Sequence, residues 1–458
     1  MKIKLLSKMR NLILQFLLTL LPLSIFSQEM KSYDERMQWF KDAKLGVFIH
    51  WGYYGVNGIS ESWSMYHQRI TWEDYMKQGE QFTAEKYDPK EWAQLFKSMG
   101  ADYVVMTSKH HDGLALWDSK YSKLDAKDHA KAGRDLYTPY VEAVRVAGMK
   151  VGVYYSLCDW SHPDYSPITF PRDEKTLRKL YPQGKTEKYW TEWQRFQYFN
   201  FNQMRELFDN YTPDLVWFDG DWEHKSHEWP SRAIKDSLLT WNPNVVVNSR
   251  LNQYGDYNTP EQDPPILTPD RPWELCMTMN TSWGYFPTDT DYKSSKYLVE
   301  TLVESISKGG NLLINIGPKP NGEIAEEQRT RLEDIGRWVQ KHDEAVHGTV
   351  AGLEYGHYFG PTTLSEDRKT IYLYNFQKPS EFVTLKGVKN KVKKIRVVGS
   401  DQELEYKVND SAPWNEIPGI VQIFTPENIA DEYVTVIAVE IEGEVELYRG
   451  IGHAIELN

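Results

Sequence analysis

Hydrophobic and polar positions follow two rhythms along this chain. In the first, helical spacing gives way to a short continuous apolar run, and each run ends abruptly in polar residues. Asp88 is placed to cap a helix with Pro89 at its first position; Trp92, Leu95, Phe96 and Met99 share a face, and Gly100 ends it. Tyr103-Val104-Val105-Met106-Thr107 reads as a strand buried on both sides, running into Ser108-Lys109-His110-His111-Asp112-Gly113. Tyr140, Val144 and Ala147 mark the next helix, whose strand Val151-Gly152-Val153-Tyr154-Tyr155 runs into Ser156-Leu157-Cys158-Asp159-Trp160. A third round joins an aromatic-rich helix, about Tyr189 to Asn210, to Leu215-Val216-Trp217-Phe218-Asp219-Gly220-Asp221-Trp222. Further strands are predicted at Leu45 to His50, Val245 to Asn248, Trp273 to Met279 and Leu312 to Ile316, and a closing helix at about Glu323 to His342. Apolar strands alternating with helices predict an α/β protein with a parallel sheet, here an irregular (β/α)8-type barrel with fewer than eight full units.

The second rhythm begins at about Thr349. Short β-rich runs separated by turns, at Ile371 to Tyr374, Phe382 to Leu385, Val392 to Val398, Val421 to Phe424, Tyr433 to Ile441 and Val445 to Tyr448, predict a C-terminal β-sandwich. It carries no acidic pair or histidine cluster, so its expected role is to pack against the barrel. Residues 1–27 have the layout of a secretory signal peptide: Lys2, Lys4, Lys8 and Arg10, then an apolar stretch from Leu12 to Phe26, then Ser27. Pro22 interrupts that stretch, which is short for an anchor helix. The expected organisation is therefore a signal peptide at 1–27, a barrel at 28–348 and a sandwich at 349–458, in a secreted or periplasmic protein with no membrane insertion after cleavage.

Charge narrows the partners. The net charge of −12 becomes about −16 once the leader is removed. An acidic surface argues against nucleic acid and anionic polymers and suits a neutral substrate. Cys158 and Cys276 are the only cysteines, which excludes a disulfide framework, and both read as buried thiols beside strand ends.

The polar strand ends carry the candidate chemistry. Cleaving a glycosidic bond takes a nucleophile or base on one side and a proton donor on the other, usually two carboxyl groups. Asp219, directly at a strand end, is the leading nucleophile, with Asp221 and Glu223 farther into the loop behind it. Glu274, in Arg271-Pro272-Trp273-Glu274-Leu275-Cys276, is the candidate acid, with Glu261 and Asp263 as alternatives. His50, His110 and His111 end predicted strands. Adjacent histidines in an extended segment point opposite ways, which favours hydrogen bonds to hydroxyls over chelation of one metal. Arg250 is placed to donate to a hydroxyl or to orient a carboxylate. Tyr66, His67, Trp160, Trp222, Trp229 and Trp283 are further candidate lining residues.

Four segments carry a family resemblance: Gly46-Val47-Phe48-Ile49-His50-Trp51-Gly52, Ser108-Lys109-His110-His111-Asp112-Gly113, Trp217-Phe218-Asp219-Gly220, and Gly309-Gly310-Asn311-Leu312-Leu313-Ile314-Asn315-Ile316-Gly317-Pro318. In sequence and order they resemble the α-L-fucosidases of glycoside hydrolase family 29. The resemblance implies a retaining two-step mechanism: Asp219 forms a covalent fucosyl-enzyme, and Glu274 protonates the leaving oxygen and then activates water. It implies that His50, His110, His111, Tyr155 and Arg250 bind the fucose hydroxyls, that Trp63 and Trp217 line the pocket, and that the partner is a fucosylated glycan. It implies no metal and no organic cofactor. One departure stands out: the family often has Glu-Trp after the first strand, where this chain has Glu61-Ser62-Trp63. Two other readings share the scaffold, a non-catalytic glycan-binding protein and an α-L-galactosidase. An apolar pocket discriminates weakly against one added hydroxyl.

Overall fold

The computed structural model describes residues 31–450 except 59, 68, 166–186, 379, 401, 413, 415 and 416, so the signal-peptide expectation lies outside the described residues. Seven parallel strands form one curled sheet: β1 (Leu45–Ile49), β2 (Tyr103–Lys109), β3 (Lys150–Ser156), β4 (Leu215–Asp219), β5 (Val246–Val247), β6 (Glu274–Thr278) and β7 (Asn311–Ile316), ordered β5-β4-β3-β2-β1-β7-β6. Apart from Lys150, every residue in these strands is buried, because helices cover the outer face and the inner face is closed on itself.

Local signals explain the helices between them. Asp88 caps the helix Pro89–Ser98 by accepting from the backbone nitrogens of Lys90 and Glu91, with Pro89 in the first turn where no donor is needed. Its Trp92, Ala93, Leu95 and Phe96 are buried. The helices Glu187–Tyr211 and Glu326–Lys341 match the predicted aromatic-rich and closing helices. No described helix is long and apolar enough to cross a membrane.

β5 and β6 lie at the two ends of the sheet order, and the segment 257–261 joins them. It makes isolated parallel bridges from Tyr257 to Asn248, from Asn258 to Trp273 and from Glu261 to Cys276. Backbone bonds from Glu274 to Asn258 (2.9 Å) and from Cys276 to Pro260 (3.1 Å) hold it to β6. This eighth stave closes the barrel, and residues 262–272 return to β6 by turns and coil in place of a helix. The irregularity expected of the barrel is concentrated here.

The C-terminal part holds a five-stranded antiparallel sheet, β12 (Val392–Val397), β15 (Thr435–Ile441), β10 (Thr370–Asn375), β9 (Thr362–Ser365) and β8 (Thr349–Ala351). Against it packs a three-stranded sheet, β11 (Phe382–Lys386), β14 (Ile420–Phe424) and β13 (Tyr406–Asn409). Strand alternation serves two cores: Ile371, Leu373, Ile437 and Val439 point between the sheets, while Tyr372, Tyr374, Val436 and Ala438 pack against the barrel. Trp338 donates to the Val434 carbonyl (2.9 Å), and Arg396 pairs with both oxygens of Glu344 (2.7 Å each) across that seam. The expected strand at Val445 to Tyr448 is reduced to one bridge, Val388 to Leu447.

Candidate active site

In parallel sheets the C-terminal strand ends host the chemistry. Asp219 is the last residue of β4. Gly220 follows at φ +85, where a Cβ would sit 2.5 Å from the Cys158 sulfur, so a glycine is needed to turn the chain away beneath the carboxylate. The nucleophile candidate is 8% exposed and held by two donors. Arg250 Nη1 lies 3.1 Å from Oδ1, the Tyr154 hydroxyl donates to Oδ2 at 2.9 Å, and His111 Nε2 stands 3.6 Å from Oδ2.

Arg250 has a second partner. Its Nη2 donates to Glu261 Oε2 at 2.6 Å, and its guanidinium lies over the Trp217 ring, 4.6 Å from the centroid. One cation thus bridges two carboxylates, one almost buried and one 40% exposed. Glu261 ends the eighth stave as Asp219 ends β4.

Glu274 does not join them. It opens β6, paired with Asn311 at the opening of β7, and is fully buried in the barrel interior. Trp217 Nε1 (2.9 Å), the Tyr103 hydroxyl (2.5 Å) and the Tyr257 hydroxyl (3.3 Å) all donate to it. Burial outweighs these donors and pushes its pKa up to about 7. A raised pKa suits an acid, but this carboxyl lies beneath Trp217, with no path to a leaving group. The expectation that Glu274 is the acid is therefore corrected. The Trp-Glu pair that drew attention to it starts a strand, and strand starts lie at the opposite end of the barrel from the site.

The three histidines converge, each oriented by a polar partner. His50 Nδ1 lies 2.7 Å from Asn315 Oδ1, while Asn315 Nδ2 donates to the Trp283 carbonyl (2.7 Å), which assigns the proton to His50 Nδ1. His110 Nδ1 meets Ser62 Oγ at 2.6 Å. His111 Nδ1 lies 2.6 Å from Ser156 Oγ, whose own proton goes to the Cys158 carbonyl (2.7 Å). That arrangement leaves the His111 Nε2 lone pair for a hydroxyl donor. Burial lowers the pKa of His50 and of His111 to about 4 and that of His110 well below the usual value. All three are neutral imidazoles at pH 7, suited to hydroxyl groups.

Tyr155 is a second correction. The register Gly152–Leu215, Tyr154–Trp217, Ser156–Asp219 puts Tyr154 on the face of Asp219 and Tyr155 on the opposite one. Tyr155 instead meets Gln203 (3.0 Å) and Lys109 (3.0 Å) beneath the helix Glu187–Tyr211. Choosing between the two tyrosines required the register, although the period-two rule narrowed the choice to one face. Asn315, Ser62 and Ser156 were also missed, because nothing in a sequence separates a serine behind a histidine from any other.

Aromatic rings wall the pocket. Trp283 lies 5.0 Å from His50, and Trp217 is near-parallel to Tyr154 at 5.8 Å. Trp63 stands edge-on to His111 at 5.5 Å, and Trp160 lies 4.9 Å from the same ring. Trp229 is buried away from His111, against Trp193 and Tyr165. Glu61 keeps a carboxylate contact, but with the wall: buried, at φ +35, it accepts from Ser282 Oγ and Gly284 N (2.8 Å each) and so pins the turn that carries Trp283. Cys158 and Cys276 are free and buried.

A β/α barrel with an arginine-bridged carboxylate pair at its C-terminal rim, walled by indoles and neutral imidazoles, defines a glycoside hydrolase. Comparison with known proteins narrows the class. Residues 23–344 match the alpha-L-fucosidase family model. The tissue alpha-L-fucosidase of Mus musculus is 32% identical over 392 residues, 78% of this chain and 80% of that one. Alpha-L-fucosidase isoenzyme 1 from Paenibacillus thiaminolyticus superposes with a TM-score of 0.81 at 32% identity, over 90% of this chain and 100% of that one. A family 29 alpha-L-fucosidase from Bacteroides thetaiotaomicron, trapped as a covalent intermediate with 2-fluoro-fucosyl fluoride, superposes at 0.79 with 27% identity, over 91% and 98% of the two chains. The chain belongs to the α-L-fucosidase family, glycoside hydrolase family 29.

Proposed function

We propose that this protein is a retaining exo-α-L-fucosidase that releases terminal L-fucose from oligosaccharides or glycoconjugates, with Asp219 as nucleophile and Glu261 as acid/base. The observation that carries this reading is the Arg250 bridge between those two carboxylates. A single guanidinium touches both, so the two carboxylates face the same part of the pocket, as a nucleophile and an acid/base must. Asp219 attacks the anomeric carbon while Glu261 gives its proton to the leaving oxygen. Water, deprotonated by Glu261, then attacks the same carbon and frees Asp219. Partial exposure of Glu261 suits exchange of that proton with solvent. The oxocarbenium-like transition state forms beside the Asp219 carboxylate, which Tyr154 and Arg250 hold in place so that little reorganisation is needed. His50, His110, His111 and Arg250 bind the sugar hydroxyls, with Trp63 and Trp217 against the ring. The enzyme acts after export, with residues 1–27 removed, a catalytic unit at 28–348 and a supporting sandwich at 349–458.

Proton NMR of the purified protein with a panel of α1,2-, α1,3-, α1,4- and α1,6-fucosylated oligosaccharides tests this. The expected first product is free α-L-fucose, with the β anomer following by mutarotation, and the depleted substrates reveal the linkage. The β anomer appearing first would overturn retention, and folded protein that releases no fucose would favour a binding protein. Matched L-galactosides, compared by rate, separate the two sugars.

A further inference from the structure

The strand that leads to the two adjacent histidines changes face partway along. Tyr103 and Val105 of β2 point into the barrel, and Val104 and Met106 point outward against the helices. Thr107 pairs with Tyr154 of β3, but Lys109 pairs with Tyr155, so Ser108 is one residue too many. This bulge reverses the alternation: Lys109 points outward and His110 into the pocket, where an unbroken strand would place them the other way round. Ser108 fills the kink by donating from Oγ to the Tyr154 carbonyl at 2.6 Å. The chain then doubles back. Gly113 N donates to the His110 carbonyl (3.0 Å) and Leu116 N to the Ser108 carbonyl (2.8 Å), so both histidines ride on a tight turn with Lys109 at its base.

An ion pair holds that base, in the layer between the sheet and the helix Glu187–Tyr211. Lys109 is fully buried, with its Nζ 3.4 Å from Asp159 Oδ2. It also donates to the Tyr155 hydroxyl (3.0 Å) and to Gln203 Oε1 (3.2 Å). Asp159 Oδ1 in turn accepts from Ser161 N (3.1 Å), Ser161 Oγ (2.6 Å) and His162 N (3.0 Å), which shapes the loop after β3. That loop grips the histidine turn: Trp160 N donates to the His111 carbonyl (2.8 Å), and a Cβ on Gly113 would fall 2.4 Å from Asp159 Oδ1. Taking two charges out of water is unfavourable, and apolar residues would fill this layer at no such cost, so the pair points to a need for fixed geometry. We propose that Lys109, through its ion pair with Asp159, is a positioning residue that locks the bulge and so aims His110 into the pocket. It acts from the outer face of the sheet, without touching the sugar. The inference rests on the fucosidase reading for the ligand that His110 meets.

A double-substitution cycle tests this, read as kcat/KM on an aryl α-L-fucoside and as Kd for L-fucose. Lys109→Met keeps the side-chain stem and removes the charge. It is expected to lower kcat/KM by about tenfold or more, because an imidazole displaced by about 1 Å loses its hydroxyl. Two losses that act through one imidazole do not multiply: Lys109→Met/His110→Ala is expected to stand about fivefold or more above the product of the two single losses. Asp159→Asn keeps an acceptor for Ser161 and His162, runs the same cycle with Lys109 intact, and carries the test should Lys109→Met not fold. Losses that multiply fully, or a lower melting temperature with kcat/KM unchanged, overturn the positioning role. Unsubstituted protein that binds L-fucose but releases none overturns the hydrolase reading alone, and the cycle is then decided by Kd. Protein that neither binds nor releases fucose overturns both.

Discussion

The two carboxylates that Arg250 joins sit on staves built in opposite ways. β4 pairs with β3 at five positions and with β5 at two, and its residues are buried from end to end. The stave 257–261 is tied to its neighbours by three isolated bridges, contains Pro260, and leads into residues 262–272 without a helix. A continuous ladder with β3 fixes Asp219, whereas Glu261 is held by one isolated bridge to Cys276, its two flanking backbone bonds, and its side-chain bond to Arg250. A covalent bond to carbon needs the first kind of support. Proton transfer to and from a succession of leaving groups and waters tolerates the second.

The largest expected effects come from removing each carboxylate in turn. Asp219→Ala is expected to lower kcat by about 10⁴-fold or more on every fucoside while the protein stays folded. Glu261→Ala is expected to cost about 10²–10⁴-fold on fucosides with poor leaving groups and far less on activated aryl fucosides, with azide restoring part of the rate. Glu274→Ala is expected to respond to neither leaving group nor azide. Such a response from Glu274→Ala, with none from Glu261→Ala, would reverse the assignment.

Glu274 is expected to show itself in stability. Its removal strands the donors of Trp217, Tyr103 and Tyr257, and urea unfolding of Glu274→Ala should report a loss of about 3 kcal/mol or more. The pH dependence carries a sign. Because the folded pKa is raised to about 7, from 4.5, the Glu274 contribution is full below pH 4.5 and is lost as pH rises to 7. His50 and His111, lowered from 6.5 to about 4, act in the opposite sense: their contribution is full above pH 6.5 and is lost as pH falls towards 4. Between pH 4.5 and 6.5 the two slopes oppose, so Glu274→Gln should make the acid-side loss of stability steeper than in the unsubstituted protein. Urea midpoints at half-unit pH steps check this.

Smaller effects sharpen the picture. Tyr154→Phe removes a donor to the nucleophile and should lower kcat/KM by about tenfold, while Tyr155→Phe should leave kcat/KM within about twofold and shift only the melting temperature. Native-state hydrogen exchange should show amides of 257–261 exchanging faster than those of 215–219, and equal protection would erase the contrast between the staves.

The same contrast explains what could be read in advance. β4 and the place of Asp219 at its end are legible because a continuous apolar run ending in Asp219 has few other readings. The four motifs placed His50, His110 and His111 on strand ends, where they stand. Glu261 is only one of several candidate acids in the sequence, because residues 257–261 show neither period two nor period 3.6. A stave defined by bridges to distant strands leaves no local pattern. Glu274 and Tyr155 failed for a related reason: which end of a strand and which of its faces belong to the site are properties of the assembled sheet.

The indoles around the pocket also give the protein a built-in optical label. Trp193 and Trp229 are almost fully buried away from the pocket and emit from an environment that a ligand barely alters, whereas Trp222, 42% exposed and 5.7 Å from the His111 ring, emits partly into water. A sugar covering that ring displaces water from it and moves its emission towards the blue. Occupancy of the pocket can therefore be titrated by intrinsic fluorescence alone, and Trp222→Phe identifies the signal as coming from that single ring.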